Sequence, residues 1–254
     1  MTTVRAISGR LAADPARRTA FAAGVLYLIT FVAGIPPTLF LYGDLLSDPA
    51  VIVDAAGGTA VLVGGLLEVG NALACIGTAV VLFPVVRRQH EAAALGFVTT
   101  RLLEAAIILT GVVSLLSVVT LRQGPLGADP AALAATAGAL VAIHGWTDLF
   151  GPGLMPVFNA LLLGSLLYRS ALVPRAIPLL GLLGAPLLLA STVASVLGAN
   201  EQVSPLSALA VAPIFFWELS LGVYLTVKGF TPTSPLLAGG APASAPATST
   251  STVG

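Results

Sequence analysis

Apolar runs of about eighteen residues or more recur along almost the whole of this 254-residue chain. Each is long enough to cross a hydrocarbon core of about 30 Å at about 1.5 Å per residue. Backbone in lipid must satisfy its own hydrogen bonds, so such runs fold as helices. Charged residues make up 9% of the chain, against a globular norm of about 25%, so the bilayer is the solvent this composition suits. The expected fold class is all-α, a polytopic membrane helix bundle. The aqueous loops are too short for a second, soluble domain. One transmembrane domain is therefore expected over 19–230, between a short basic cytoplasmic segment, 1–18, and a Pro-, Ala-, Ser- and Thr-rich cytoplasmic tail, 231–254, expected to be disordered.

Charge placement orders the spans. Arg5, Arg10, Arg17 and Arg18 precede an uncharged run over 19–42, which reads as a signal-anchor helix that Pro36 and Pro37 kink or end. The next loop carries Asp44, Asp48 and Asp54 and no basic residue, which places it outside. A second run over 55–86 returns to Arg87 and Arg88, and a third, 92–121, goes out to Arg122 and the turn-rich 124–130. Residues 131–168 would measure about 57 Å as one helix, too long for a single crossing. Gly151, Pro152 and Gly153 are the expected break. A single crossing keeps Arg169 and Arg175 inside, and makes the Ala-rich first piece an outer interfacial or partly re-entrant helix. The runs over 176–199 and 203–227 complete six spans with both termini cytoplasmic. On this topology nine of the eleven Lys and Arg residues share one side, with only Arg101 in the membrane and Arg122 outside.

The polar residues inside these runs are the candidates for function. Arg101 and Glu104 lie in an otherwise apolar stretch, and a charge at bilayer depth costs roughly 2.5–3.5 kcal/mol on insertion scales, so it normally faces protein and has a partner. In the second run Gly64, Glu68, Asn71, Cys75 and Thr78 follow steps of four and three and form one stripe. Helical rise places Arg101 about 20 Å from the cytoplasmic arginines, Glu104 and Asn71 about 24 Å, and Glu68 about 28 Å. Arg101 is therefore expected to meet Glu68, Glu104 or both in a buried cluster of one arginine and two acids, in which one acid keeps its proton. Glu218, about 15 Å from the Lys228 end, is level with Asn159 and expected to bond to it. His144 and Asp148, four apart near the outer boundary, can pair, with Trp146 as an interfacial belt residue.

Several chemistries lack their residues. There is no G-x-S-x-G elbow, H-E-x-x-H pair or Walker loop. His90 and His144 fall near opposite interfaces and cannot share a haem or metal, so no cofactor and no metal is expected. Zero formal net charge argues against a nucleic-acid partner, and the lone Cys75 has no internal disulfide partner.

Three stretches carry a family resemblance: 23–30 (AGVLYLIT) with Ala33 and Gly34, 101–105 (RLLEA), and 163–170 (LGSLLYRS) with Pro174 and Arg175. On these the chain, over most of 20–230, resembles a family of bacterial multi-pass membrane proteins known only as a domain of unknown function. The resemblance implies a bundle of six or seven helices in the bacterial inner (plasma) membrane and supplies no reaction, substrate or catalytic residue. The Ala-rich outer segment and the Pro-rich tail depart from it. Three functions fit these residues. The first is a membrane protein binding or passing a small solute or proton, with Arg101 as partner of an anion or carboxylate and Glu68 or Glu104 titrating. The second is a membrane scaffold or regulatory partner of another membrane protein, in which the Arg-Glu contact is a clasp. The third is an intramembrane enzyme using His144 and Asp148 at the outer face.

Overall fold

The computed structural model describes residues 14–47, 58–121 and 129–238. Arg5, Arg10, Asp48, Asp54, Arg122 and the tail from 239 lie outside the described residues. The described elements are helical. They are α1 (Pro15–Pro36), a π-helical turn (Pro37–Leu41), α2 (Gly43–Ser47), α3 (Gly58–Val86), α4 (Glu91–Leu121), α5 (Pro130–Phe150), α6 (Met155–Ser170), α7 (Ala176–Val196), α8 (Pro205–Val227) and α9 (Pro235–Ala238). Six stretches are long and apolar enough to cross a membrane, the broken 130–170 counting as one. The protein is a multi-pass membrane helix bundle.

Local sequence explains the ends. Asp14 caps α1 by accepting from the Ala16 N–H, with Pro15 in the first turn, and Ser204 caps α8 in the same way ahead of Pro205. Pro37 lacks the N–H an α-turn needs and its ring crowds the preceding turn. The helix widens there into the π turn, closed by Tyr42 N–H donating to Pro37 O at 3.0 Å.

The spans pack in chain order and then close into a ring: α1 on α3, α3 on α4, α4 on α5 and α6, α6 on α7, α7 on α8, and α8 back on α1. At the closing seam Gly24 lies directly against the Thr226 and Gly222 backbone, an approach that leaves no room for a Cβ. Arg17 seals the seam at its end, donating to the carbonyls of Leu225 (2.9 Å), Thr226 (2.8 Å) and Val227 (3.0 Å), the negative end of α8. This end of the bundle, here the near end, also carries Arg18, Arg87, Arg88, Arg169, Arg175 and Lys228, at helix termini that alternate as antiparallel packing requires.

The break in 130–170 falls at the expected Gly151-Pro152-Gly153. Pro152 removes a donor, and the turn recovers the loss with Gly151 N–H on Thr147 O (2.8 Å), Gly153 N–H on Asp148 O (3.0 Å) and Met155 N–H on Gly151 O (3.1 Å). Both pieces run antiparallel to α4: Ala137 clusters with Val118, His144 and Thr147 face Gly111, Gly151 faces Ile107, and Leu162 faces Gly96. The Ala-rich piece thus lines the far half of α4. Sixteen residues of α6 span only about 24 Å, so the end of α5 must complete the crossing.

The tail differs from expectation at its start. Residues 231–238 are packed rather than disordered: Thr231 N–H donates to Leu172 O (2.8 Å), Ser234 Oγ to Ser170 O (2.7 Å), and Leu236 and Leu237 rest on the core. Phe230 and these leucines carry enough apolar surface to hold the strand of chain, a signal that the Pro- and Ser-rich composition of the whole tail obscures.

Candidate functional site

The near half is filled by one large cluster that includes Tyr27, Leu82, Phe97, Leu163, Trp217 and Leu221. Gly181 admits the Trp217 ring, so α7 and α8 close over it. On top of this plug sits Arg101, its side chain 2% exposed, with the guanidinium 5.1 Å from the Tyr27 ring and 5.9 Å from the Phe97 ring. Such stacking suits a delocalised cation that cannot be deprotonated.

The predicted buried cluster of one arginine and two acids is present, with one member different. Arg101 Nη1 meets Glu104 Oε2 at 3.0 Å, an i,i+3 pair on α4, and Nη2 meets Glu218 Oε1 at 2.8 Å across the ring. Glu68 is not its partner. It accepts instead from the Tyr42 hydroxyl at 3.0 Å. The reason lies in direction. Glu68 is the farthest of the group from the near end, whereas Arg101 lies down on the aromatic plug and reaches toward Glu218 on α8. Asn159 likewise leaves its expected partner: its Nδ2 donates to Glu104 Oε2 (2.8 Å) and its Oδ1 accepts from Thr100 (2.7 Å). Cys75 Sγ lies 3.6 Å from Arg101 Nη1. The guanidinium is thereby shared between two carboxylates on two helices, while its Nε and the Tyr27 hydroxyl have no hydrogen-bond partner among the described residues.

Above Arg101 the centre of the ring opens into a cavity of about 330 Å³ in the far half. Its ionisable lining consists of Arg101 and four carboxylates, Glu68, Glu104, Asp148 and Glu218, joined by Asn71, Thr30 and Thr38, with Phe31 and Phe215 on the α1–α8 side. If all four acids ionise, the formal charge of this wall is −3, four minus one. An excess of that size in a low-dielectric space must be met by protons or by a cation.

His144 and Asp148 do not form the expected pair. Asp148 Oδ2 accepts from Gln202 Nε2 at 2.7 Å, and the His144 ring is 4% exposed, edge-on to Tyr42 at 5.6 Å and facing Gly111, with no partner for Nδ1 among the described residues. Asp148 faces the 197–204 loop, where Gln202 takes its carboxylate, and the missing side chain of Gly111 lets the imidazole pack inward. An outer-face enzyme needs a reachable histidine, and this one is buried. Trp146 is half exposed and stacked on Phe150 at 5.9 Å. The sequence reading missed Tyr42 and Gln202. The one available signal for Tyr42 was a tyrosine just beyond two prolines, opposite a glycine at Gly64; Gln202 left none. No group of three or more His, Cys, Asp or Glu residues fit to hold a metal ion occurs among the described residues.

The model of a family described as a domain of unknown function (DUF4386) matches residues 22–229, and the chain belongs to that family. No curated protein and no solved structure matches it.

Proposed function

We propose that this family member sits in the plasma membrane with its basic near end and both termini in the cytoplasm, and that its central cavity binds a small cation or a proton. The observation that carries the reading is the excess of carboxylates over one arginine whose Nη atoms are already engaged. Glu68, Glu104 and Glu218 are the groups that take the charge, Asn71 adds a neutral amide, and Arg101 is the fixed internal counter-charge. An anion would have to displace a carboxylate from Arg101, so this arrangement favours cations over the anion expected from the arginine alone. The near half, plugged by Tyr27, Phe97 and Trp217, keeps the cavity closed on the cytoplasmic side in this conformation.

The test is thermal unfolding of detergent-purified protein with guanidinium or acetate added at equal ionic strength. The expected result is a rise in Tm of several degrees with guanidinium, lost in Glu68→Gln, Glu218→Gln. Equal shifts with acetate, or a response untouched by the double replacement, would sink the reading. A second reading has its own support. The two-armed contact of Arg101 joins α4 to α8 across the ring, as a structural clasp in a scaffold for another membrane protein requires. On that reading neither salt shifts Tm.

A further inference from the structure

A second cavity in the far half is outside the site described above. It measures about 300 Å³ and lies between α7, the start of α8 and the end of α5. Ser191, Ser195, Gln202, Ser204 and Ser207 contribute to its wall, and Asp148 is the one ionisable residue in its lining. Asp148, Pro152 and Val211 line the inner cavity as well, so the two spaces adjoin across these residues.

The wall is a built one. Ser207 Oγ accepts from Asn200 Nδ2 at 2.7 Å and donates to Glu201 O at 2.9 Å, and Ser204 Oγ donates to Asn200 Oδ1 at 2.9 Å. The positive end of α8 is spent here: Pro205 has no N–H, and Ser204 Oγ accepts from Ser207 N–H at 3.1 Å, so little is left to attract an anion. The opposite holds across the cavity. Asp148 stands in the last turn of α5, where the helix dipole is negative and a carboxylate is normally disfavoured. The Thr147 and Asp148 carbonyls at that end are already taken by Gly151 and Gly153 N–H, so the Asp148 carboxylate itself is the point that attracts a cation. Its only hydrogen-bond donor among the described residues is the neutral amide of Gln202, at 2.7 Å, in the place that an ammonium N–H would take.

We propose that this outer cavity is a second binding station for a primary ammonium group, which displaces the Gln202 amide from Asp148; the proposal rests on the reading of the inner cavity, which it adjoins, as a cation site. The serine oxygens serve as neutral acceptors for the remaining N–H groups. Asp148 acts between the two cavities as the charge that admits cations and turns anions away, as acidic residues do at the mouths of cation pores.

The test uses the full chain in detergent with Ser195→Cys, a half-buried position in the outer wall, in a Cys75→Ala background so that only the introduced thiol reacts, and follows its labelling by the neutral reagent N-ethylmaleimide. Ethylammonium at tens of millimolar should slow labelling several-fold, and acetate, ethanol and tetramethylammonium, which lacks an N–H, should not. Adding Asp148→Asn should abolish the protection. Adding Gln202→Ala should lower the ethylammonium concentration needed several-fold, an arm that survives even if the Asp148 variant fails to fold. Absence of protection, equal protection by any of the three control solutes, or protection that ignores both replacements would overturn the proposal. Glu218→Gln separates the two sites. Protection that persists in this variant supports an independent outer station, whether or not the inner cavity responds to guanidinium. Protection lost there removes the outer station and leaves the inner one standing.

Discussion

The two halves of this bundle are built from the same six spans to opposite specifications. Toward the near end the helices meet through glycines and fill the centre with aromatic and leucine side chains. Toward the far end the same helices border two open cavities, four carboxylates and a network of serine and amide groups, with a much smaller apolar cluster around Tyr42, Leu115 and Val118. Arg101 is the boundary, lying on the aromatic plug below and facing the carboxylates above. The larger apolar cluster lies in one half and the hydrogen-bonded polar groups in the other. Replacements in the two halves should therefore differ in kind as well as in size.

The sharpest test is at the boundary. Arg101→Leu strands Glu104 and Glu218 without their shared cation and should cost about 3–5 kcal/mol, measured by unfolding in detergent. Replacing Arg101, Glu104 and Glu218 together by leucine should recover most of that loss, because the penalty comes from uncompensated charge. If the triple variant is as unstable as the single one, Arg101 matters chiefly through its contact with Tyr27 and Phe97, and the division into halves is drawn in the wrong place.

Next come two glycines that meet different things. An added methyl at Gly24 would strike the backbone of α8, which cannot yield without opening the ring, so Gly24→Ala should cost about 2–3 kcal/mol. At Gly64 the obstacle is the ring of Tyr42, a side chain at the end of a π turn, so Gly64→Ala should cost about 1 kcal/mol and instead release the Tyr42 bond to Glu68. Equal losses would mean that the far half packs as rigidly as the near one. The smallest effect is expected for Arg17→Ala, about 0.5 kcal/mol, because the carbonyls it serves are only part-buried or exposed and can be hydrated.

Much of the fold was legible because the bilayer leaves few choices. Run lengths set the spans, the arginine clusters set which helix ends lie together, and Gly151-Pro152-Gly153 set the break. The Arg101–Glu104 contact was legible as well, since i,i+3 on a helix brings the side chains together whatever surrounds them. The partner across the ring was not. Depth arithmetic places Cα atoms along the membrane normal, but an arginine side chain covers several ångströms in a direction its neighbours decide. The aromatic rings of Tyr27 and Phe97 turned it toward Glu218 and away from Glu68. Asp148 shows the same limit in a loop. Its bond to Gln202 spans 54 residues and depends on the path of the 197–204 segment, which carries no periodicity from which to read a position.

The seam between α1 and α8 has a consequence for how the molecule is made. The α1 span is completed by α8, which is synthesised nearly two hundred residues later. Until residue 227 has been synthesised, Arg17 has no carbonyls to hold, and the flank of α1 bearing Gly24 and Tyr27 faces lipid or a chaperone in place of protein. The intermediate spans can pair with their predecessors as they emerge, but the ring, and with it the far-half cavity, exists only after α8 has been made. A chain stopped before α8 would therefore present an open crescent in which Arg101 keeps Glu104 on its own helix but has lost Glu218, leaving Nη2 and the α1 flank without the partners that the closed ring supplies.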